Sequence, residues 1–301
     1  MLRIRFHGRG GQGIKTASQI LGTAGFFSGL HAQDFPLYGA ERRGAPICAF
    51  TRLDENDVLE RGAIQHPHLI LIADETLIDD PIAAPLRGAD SLTGIFINSP
   101  HTGKALADHY DLPAVPVTLD LTSRCIRYLK KGTILSSALA AAGARLSGII
   151  EFSRLQEAIR QELEQQGLRG DLVQRNLDLA DETFNAISPI IFKKREEAVP
   201  GPARMIGLVR QDPEHAAPLI LNPGNMAFRK TGNWRMERPE MEYEKCNGCW
   251  ICFVRCPDGA MGIRPDAKPE IDYDHCKGCL ICAQECPTHA IHVSREVSSW
   301  S

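Results

Sequence analysis

Short apolar runs recur through the first 190 residues and alternate with longer amphipathic stretches. Five compact runs are typical of strands: Leu2–His7, Ala45–Arg52, His68–Ala73, Gly94–Asn98 and Val115–Leu119. Pro116 limits the last run to the edge of a sheet. Apolar residues at helical spacing predict four helices: Gln12–Phe27 and, later, stretches near Thr133–Arg145, Ser153–Gln165 and Leu168–Ile187. This alternation predicts an α/β sandwich, over residues 1–190, with a mostly parallel sheet.

The periodic pattern stops over residues 191–233. This stretch holds five prolines, at positions 200, 202, 213, 218 and 223, and it predicts a long extended linker. Plain disorder is the alternative. Two apolar clusters, Leu219–Leu221 and Met226–Phe228, favour an ordered segment that lies along a surface. A second domain is predicted over residues 234–301.

Eight of the ten cysteines lie in that second domain, in two runs of the same spacing. Each run reads C-x2-C-x2-C-x3-C and is followed by proline, at Pro257 and Pro287. This is the ligand pattern of a bacterial ferredoxin with two [4Fe–4S] clusters, in which the fourth cysteine of each run binds the other cluster. The first predicted ligand set is Cys246, Cys249, Cys252 and Cys286. The second is Cys276, Cys279, Cys282 and Cys256. The fold expected here is an α+β ferredoxin-like domain, formed by an internal duplication.

Other uses of these cysteines fit the spacing less well. Zinc ribbons use paired C-x2-C units without a third cysteine two residues later. A disulfide framework requires an oxidising compartment, to which nothing in the sequence points. The remaining cysteines, Cys48 and Cys125, stand alone among apolar residues and are expected to be small buried side chains.

Composition excludes several function classes. The chain has 301 residues, 43% of them apolar, and a net charge of −3, which gives no reason to expect nucleic acid or a membrane surface as a partner. The first residues lack the apolar region of a signal peptide, and no apolar run approaches the roughly 18 residues that span a bilayer. With reduced, metal-binding cysteines, these features predict a cytoplasmic protein.

A glycine-rich loop joins the first predicted strand to the first helix. Its residues are Gly8, Arg9, Gly10, Gly11, Gln12 and Gly13. The strand, G-x-G-x-x-G and helix order, with Asp34 about twenty residues further on, matches the pattern of a dinucleotide site. Backbone N–H groups in such a loop, together with the helix N-terminus, at least favour an anion. A nicotinamide-dependent reductase with a ferredoxin tail is therefore one hypothesis.

Three features weaken that hypothesis. Residues 30–34 are a poor second strand, with Pro36 directly after them. Gln12 and Lys15 stand where the helix should pack closely on the sheet. Tyr38–Pro46 then places Arg42 and Arg43 beside glycines in a predicted loop, where paired arginines could meet phosphate or carboxylate groups. An ion pair of these arginines with Glu41, or simple solvation, remains the alternative.

Two long motifs resemble a known family. R-F-H-G-R-G-G-Q-G at positions 5–13 and A-Q-D-F-P-L-Y-G-A-E-R-R-G-A-P at positions 32–46 resemble the gamma subunit of 2-oxoacid:ferredoxin oxidoreductases. Thr231–Arg235, ahead of the cysteine runs, resembles the start of the delta subunit of that family. The chain is thus similar to gamma and delta subunits fused in that order.

The resemblance implies a function within a larger assembly. It implies an oxidative decarboxylation of a 2-oxoacid, usually to acyl-CoA, at thiamine diphosphate and magnesium held by alpha and beta subunits. This chain would cap that active site and pass electrons through its two clusters to a ferredoxin or to a flavin-containing subunit. The cofactor or CoA contacts implied here are the Gly8–Gly13 loop, Tyr38, Arg42 and Arg43, with no catalytic residue in this chain. A third hypothesis assigns the α/β domain an assembly role only.

Overall fold

The computed structural model describes residues 1–37, 44–81, 83–190, 192 and 230–296. Three predicted cofactor contacts, Tyr38, Arg42 and Arg43, lie outside the described residues. So does the predicted linker, except Phe192 and residues 230–233.

The α/β domain contains a mixed sheet of six strands. They are β1 (Leu2–Arg9), β2 (His31–Leu37), β3 (Pro46–Asp54), β4 (Leu69–Ile72), β5 (Gly94–Asn98) and β6 (Val117–Leu119). Their order is β2-β3-β1-β4-β5-β6, with β1, β4, β5 and β6 parallel and β2 and β3 antiparallel to their neighbours. The predicted strands are confirmed, and β6 lies at the sheet edge as Pro116 indicated.

The expectation that residues 30–34 form a poor strand was wrong. His31–Leu37 pairs along its length with β3, from His31 opposite Asp54 to Leu37 opposite Cys48. Pro36 is tolerated because β2 is an edge strand, where one side of the backbone needs no partner.

The described part of the α/β domain contains six helices. They are α1 (Ile14–Phe27), α2 (Gly103–Tyr110), α3 (Leu121–Leu129), α4 (Ser136–Ser147), α5 (Phe152–Gln165) and α6 (Asp171–Asn185). The four predicted helices correspond to α1, α4, α5 and α6. Sequence reasoning missed α2 and α3.

The sheet separates two apolar cores. Leu69 and Leu71 of β4 join the larger core with α1, α4, α5 and α6, whereas Ile70 and Ile72 join a smaller core with Leu106 of α2. Alternate residues of a strand point to opposite faces, so a strand covered on both sides is apolar throughout. The α/β domain is therefore a three-layer sandwich.

A small α+β region follows, as predicted. It contains β7 (Glu237–Met241), α7 (Ile251–Arg255), β8 (Met261–Ile263), β9 (Pro269–Ile271), α8 (Ile281–Gln284) and β10 (Ile291–Arg295). β7 pairs with β10 and β8 with β9, both antiparallel. Two cysteines, Cys252 and Cys282, belong to its buried core, with Met261, Ile271 and Ile291.

Among the described residues, no helix combines the length and the apolar character that crossing a bilayer requires.

Candidate functional site

Two hollows in the α+β region are each lined by four cysteines. The first is lined by Cys246, Cys249, Cys252 and Cys286. The second is lined by Cys256, Cys276, Cys279 and Cys282. Each hollow thus combines three cysteines of one run with the fourth cysteine of the other.

The backbone of the two runs follows the same unusual path. Gly248 and Gly278 adopt left-handed φ values of 68° and 67°, and Trp250 and Leu280 adopt φ values of 61° and 63°. The helices α7 and α8 begin directly after these residues, which places the third cysteine of each run in the first turn. A left-handed residue other than glycine costs about 1–2 kcal/mol. Its repetition in both halves indicates that wrapping the hollow requires this conformation.

The fourth cysteine of each run accepts a backbone hydrogen bond at sulfur. The Ala260 N–H donates to Cys256 Sγ and the Ala290 N–H donates to Cys286 Sγ, each over 3.3 Å. Such N–H···S bonds stabilise negative charge on the sulfur and are one of the ways a protein adjusts the potential of a cluster.

Burial and hydrogen bonding shift the thiol pKa values in different directions. Burial raises the pKa of Cys282 to about 12 and also raises the pKa values of Cys252 and Cys276. At Cys286 burial acts in the same direction, but hydrogen bonds from the Thr288 hydroxyl and from backbone N–H groups outweigh it and lower the pKa. The buried thiols therefore favour the protonated form until a metal replaces the proton.

The residues fit a multi-iron cluster better than a single metal ion. All ten cysteines are free thiols. In the described part of the chain, no three His, Cys, Asp or Glu side chains converge as ligands of one ion. Four thiols spread around a hollow suit a cube that offers one iron to each.

The residues just before β7 join this region to the α/β domain. The Thr231 hydroxyl donates to the carbonyl of His275 (2.7 Å), and the Gly232 N–H donates to the carbonyl of Asp274 (2.8 Å). On the other side, the Asn233 amide donates to the Asp80 carboxylate of the α/β domain over 2.7 Å. We call residues 231–236 the junction segment.

The glycine loop lies against this junction segment, and its two longer side chains are engaged within the chain. Arg9 is 1% exposed, and its guanidinium donates to Asp74 Oδ2 (3.1 Å) and to the Thr76 hydroxyl (2.7 Å). Gln12 is also buried; its amide donates to Asp74 Oδ2 (3.1 Å) and lies 3.5 Å from Met236 Sδ. Asp74, at the carboxyl end of β4, thus holds both side chains of the loop.

The loop backbone is similarly constrained. The Gly10 N–H donates to the carbonyl of Ala45 (2.9 Å), which continues the pairing of β1 with β3. At Gly8 a Cβ would collide with Ile14, and at Gly13, where φ is 79°, it would lie 3.0 Å from Ser136 Cβ of α4. These glycines are required for packing, and Gly11 is the exposed residue of the loop.

The sheet order argues against a dinucleotide site. In that fold the acidic residue follows a second strand that lies parallel to and beside β1. Here β3 separates β2 from β1, and β2 runs antiparallel to β3. Asp34 instead faces Gly22 of α1, where a Cβ would approach it to 3.2 Å, and burial raises the pKa of Asp34.

The sequence alone predicted no role for four residues of this site: Asp74, Asp80, Asn233 and Arg235. Asp74 offered one signal, because a carboxylate directly after a buried parallel strand lies at the edge of the sheet where sites form. Asn233 and Arg235 fall in the motif Thr231–Arg235, but their contacts depend on the tertiary fold.

A three-layer α/β domain joined to two four-cysteine hollows defines an electron-transfer protein of the oxidoreductase class. Residues 3–186 match the family described as pyruvate ferredoxin/flavodoxin oxidoreductase, and residues 269–292 match the 4Fe-4S binding domain. The first match spans more than half of the chain, so the chain belongs to the pyruvate ferredoxin/flavodoxin oxidoreductase family.

Individual relatives agree with this assignment. The chain is 34% identical over 185 residues to pyruvate synthase subunit PorC of Methanocaldococcus jannaschii, covering 62% of this chain and 96% of the relative. It is 35% identical over 188 residues to the pyruvate/ketoisovalerate oxidoreductases common subunit gamma of Thermococcus kodakarensis, with the same coverage. The crystal structure of pyruvate oxidoreductase subunit PORC of Thermotoga maritima superposes with a TM-score of 0.52 at 26% identity, covering 61% of this chain and 95% of that one.

Proposed function

We propose that this chain is a fused gamma–delta subunit of a 2-oxoacid:ferredoxin oxidoreductase and carries electrons away from an active site formed by partner subunits. The observation that carries the proposal is the presence, in one chain, of the α/β domain of this family and two hollows lined by four cysteines each. We propose the division into residues 1–190, 191–233 and 234–301, with the junction segment touching both outer parts.

Each hollow is proposed to hold one [4Fe–4S] cluster. Cys246, Cys249, Cys252 and Cys286 bind the first cluster, and Cys256, Cys276, Cys279 and Cys282 bind the second; the lining of the two hollows supports this crossed assignment. When bound, a cluster supplies one-electron transfer, so two of them in series divide a two-electron oxidation into single steps. The chain itself holds the sulfurs in place, excludes water with Met241 and Met261, and donates N–H groups to sulfur.

The partners follow from the family. The named relatives act on pyruvate or ketoisovalerate and are single subunits of their enzymes. We therefore propose alpha and beta partners that hold thiamine diphosphate and magnesium, a short-chain 2-oxoacid as substrate, CoA as acyl acceptor, and a ferredoxin or flavin-containing acceptor. The use of many cysteines as metal ligands supports a reducing, cytoplasmic location.

The α/β domain is proposed to cover the partner active site with its glycine loop and the Tyr38–Arg43 stretch. Exposed Gly11 supports a backbone contact at this place, whereas Arg9 and Gln12 act by holding the loop on Asp74. Tyr38, Arg42 and Arg43 stay predictions from the sequence.

Anaerobic purification and metal analysis test the proposal. The native complex should contain two further chains and thiamine diphosphate, and this chain should bind about eight iron and eight sulfide, as two cubanes require. Cys256→Ala should remove the cluster of Cys276, Cys279 and Cys282 and leave about four iron. Cys48→Ala, outside both ligand sets, is the matched control and should keep all of the iron.

Two results would count against the proposal. Reduction of the clusters by NADH in the isolated chain would favour the nicotinamide-dependent reductase instead. Loss of the cluster of Cys246, Cys249 and Cys252 in Cys256→Ala would refute the crossed ligand sets.

A further inference from the structure

We propose that Arg235 is a positioning residue for electron transfer, whose buried guanidinium raises the reduction potential of the second cluster above that of the first. The inference rests on the proposed function, since it requires clusters in both hollows.

Arg235 directs its charge at the loop that carries the second ligand set. Its side chain is 6% exposed, and Nη1 donates to the carbonyl of Tyr273 (2.6 Å) and to the carbonyl of the ligand Cys276 (2.8 Å). Gly278, in the same loop, faces this side chain so closely that a Cβ there would lie 2.9 Å from Arg235 Cγ. The loop therefore packs closely against the Arg235 side chain.

Arg235 shares its carboxylate partner, Glu296, with a second arginine. Arg235 Nε lies 2.7 Å from Glu296 Oε2 and Nη2 lies 3.3 Å from Oε1. Arg238 approaches the same carboxylate to 3.7 Å and stacks over the Tyr273 ring. Glu296 is thus shared between two guanidinium groups, and Arg238 also interacts with Glu240.

The internal repeat supplies a comparison within the same molecule. Tyr243 and Tyr273 are equivalent, each standing three residues before the first cysteine of its run. The Tyr243 carbonyl accepts a hydrogen bond from Lys268 Nζ over 2.7 Å. Lys268 is only half-buried and comes from the turn between β8 and β9, whereas Arg235 is buried and comes from the junction segment. The two halves thus hold equivalent carbonyls with cations of different kind and burial.

This difference has a direct electrostatic consequence. A cluster that accepts an electron gains negative charge, and a fixed cation stabilises that reduced form more strongly where water is excluded. The guanidinium stays charged at all relevant pH values and can hold two carbonyls at once. The junction segment contacts both Asp80 of the α/β domain and the residues just before Cys276, so the cluster beside this segment carries the higher potential.

Redox titration followed by electron paramagnetic resonance tests the inference on the whole chain in its native complex. Arg235→Gln should lower the midpoint potential of one cluster signal, and Glu296→Gln should raise the potential of the same signal. The double variant should return near the wild-type value. Cys249→Ala removes a ligand of the first cluster, so the signal that survives in this variant belongs to the second cluster. Lys268→Gln is the matched control and should leave that signal in place.

Shifts of the potential in opposite directions in Arg235→Gln and Glu296→Gln distinguish an electrostatic effect from a structural one. If Arg235→Gln and Glu296→Gln move the signal in the same direction, or if both clusters shift equally, the inference is wrong. If Arg235→Gln loses the second cluster, two other variants still test the inference. Glu296→Gln should raise the potential of the second cluster, and Arg235→Lys, which keeps the positive charge, should leave that potential near the wild-type value. A wild-type iron content well below about eight per chain would instead remove the proposed function on which the inference rests.

Discussion

The side-chain amide of Asn233 and the carboxylate of Asp80 form a 2.7 Å hydrogen bond that joins the two folded parts of the chain. Asp80 is buried, and its other oxygen accepts the Ala83 N–H over 3.0 Å. The cluster-binding region is thereby held to the α/β domain by a defined contact as well as by the chain between them. Together with Gln12 and Met236, it sets the orientation of the glycine loop relative to the second hollow.

Asn233→Asp should loosen this contact. It places a second carboxylate against Asp80 and removes the donor, which should cost at least the roughly 1–3 kcal/mol of an unmade buried hydrogen bond. We expect faster hydrogen exchange in residues 77–80, 83, 84 and 231–236. Asn185→Asp is a matched control, because Asn185 also donates to a carboxylate, Asp181 (3.1 Å), but on an exposed helix face. Equal exchange in both variants would show that the contact does not hold the parts together.

Asp74 should be essential for the stability of the α/β domain. Asp74→Asn leaves the guanidinium of Arg9, which is 1% exposed, without its carboxylate. Breaking a buried pair in this way costs about 3–5 kcal/mol. Urea denaturation monitored by circular dichroism should show a lower midpoint, while Asp79→Asn, at an exposed position, should resemble the wild type. An unchanged midpoint would mean that another group compensates Arg9.

Gly248 and Gly278 occupy equivalent positions in the two runs, so replacing each with alanine gives a matched comparison. Both have left-handed φ values, 68° and 67°, so alanine at either position should cost about 1–2 kcal/mol. At Gly248 a Cβ would meet open space, whereas at Gly278 it would collide with the carbonyl of Glu237 and the side chain of Arg235. Gly278→Ala should therefore lose iron from the second cluster, and Gly248→Ala should keep both clusters. Similar iron contents in the two variants would contradict this packing.

The elements that sequence reasoning found are those with a strong apolar signal. β4 is apolar at all four positions and α4 is buried on nearly every side, so both stand out from their surroundings. The missed helices lack this signal. α2 buries only Leu106, and α3 buries only Leu121 and Cys125, so each short helix contains too few apolar positions to stand out in the sequence.

The candidate site, like the fold, could be predicted from the sequence only in part. The ligand sets could be proposed from spacing, because the geometry of a cubane restricts which cysteines reach it. The roles of Asp74 and Arg235 could not, since each depends on partners far away in the chain, Arg9 and Glu296 among them. Strand β2 was missed because its exposed face and Pro36 weaken the pattern, and only pairing with β3 makes it a strand.

Removal of iron should unfold the α+β region and leave the α/β domain intact. Two of the five buried apolar residues of the small core are Cys252 and Cys282, which we propose as cluster ligands, so bound clusters would complete this core. Small domains of this kind depend on bound metal for their folding energy. After anaerobic chelation, amides of β7 and β10 should lose protection from hydrogen exchange, whereas those of β4 and α4, in the larger core, should keep it. Protection that persists in β7 and β10 without iron would show that the strands are stable on their own.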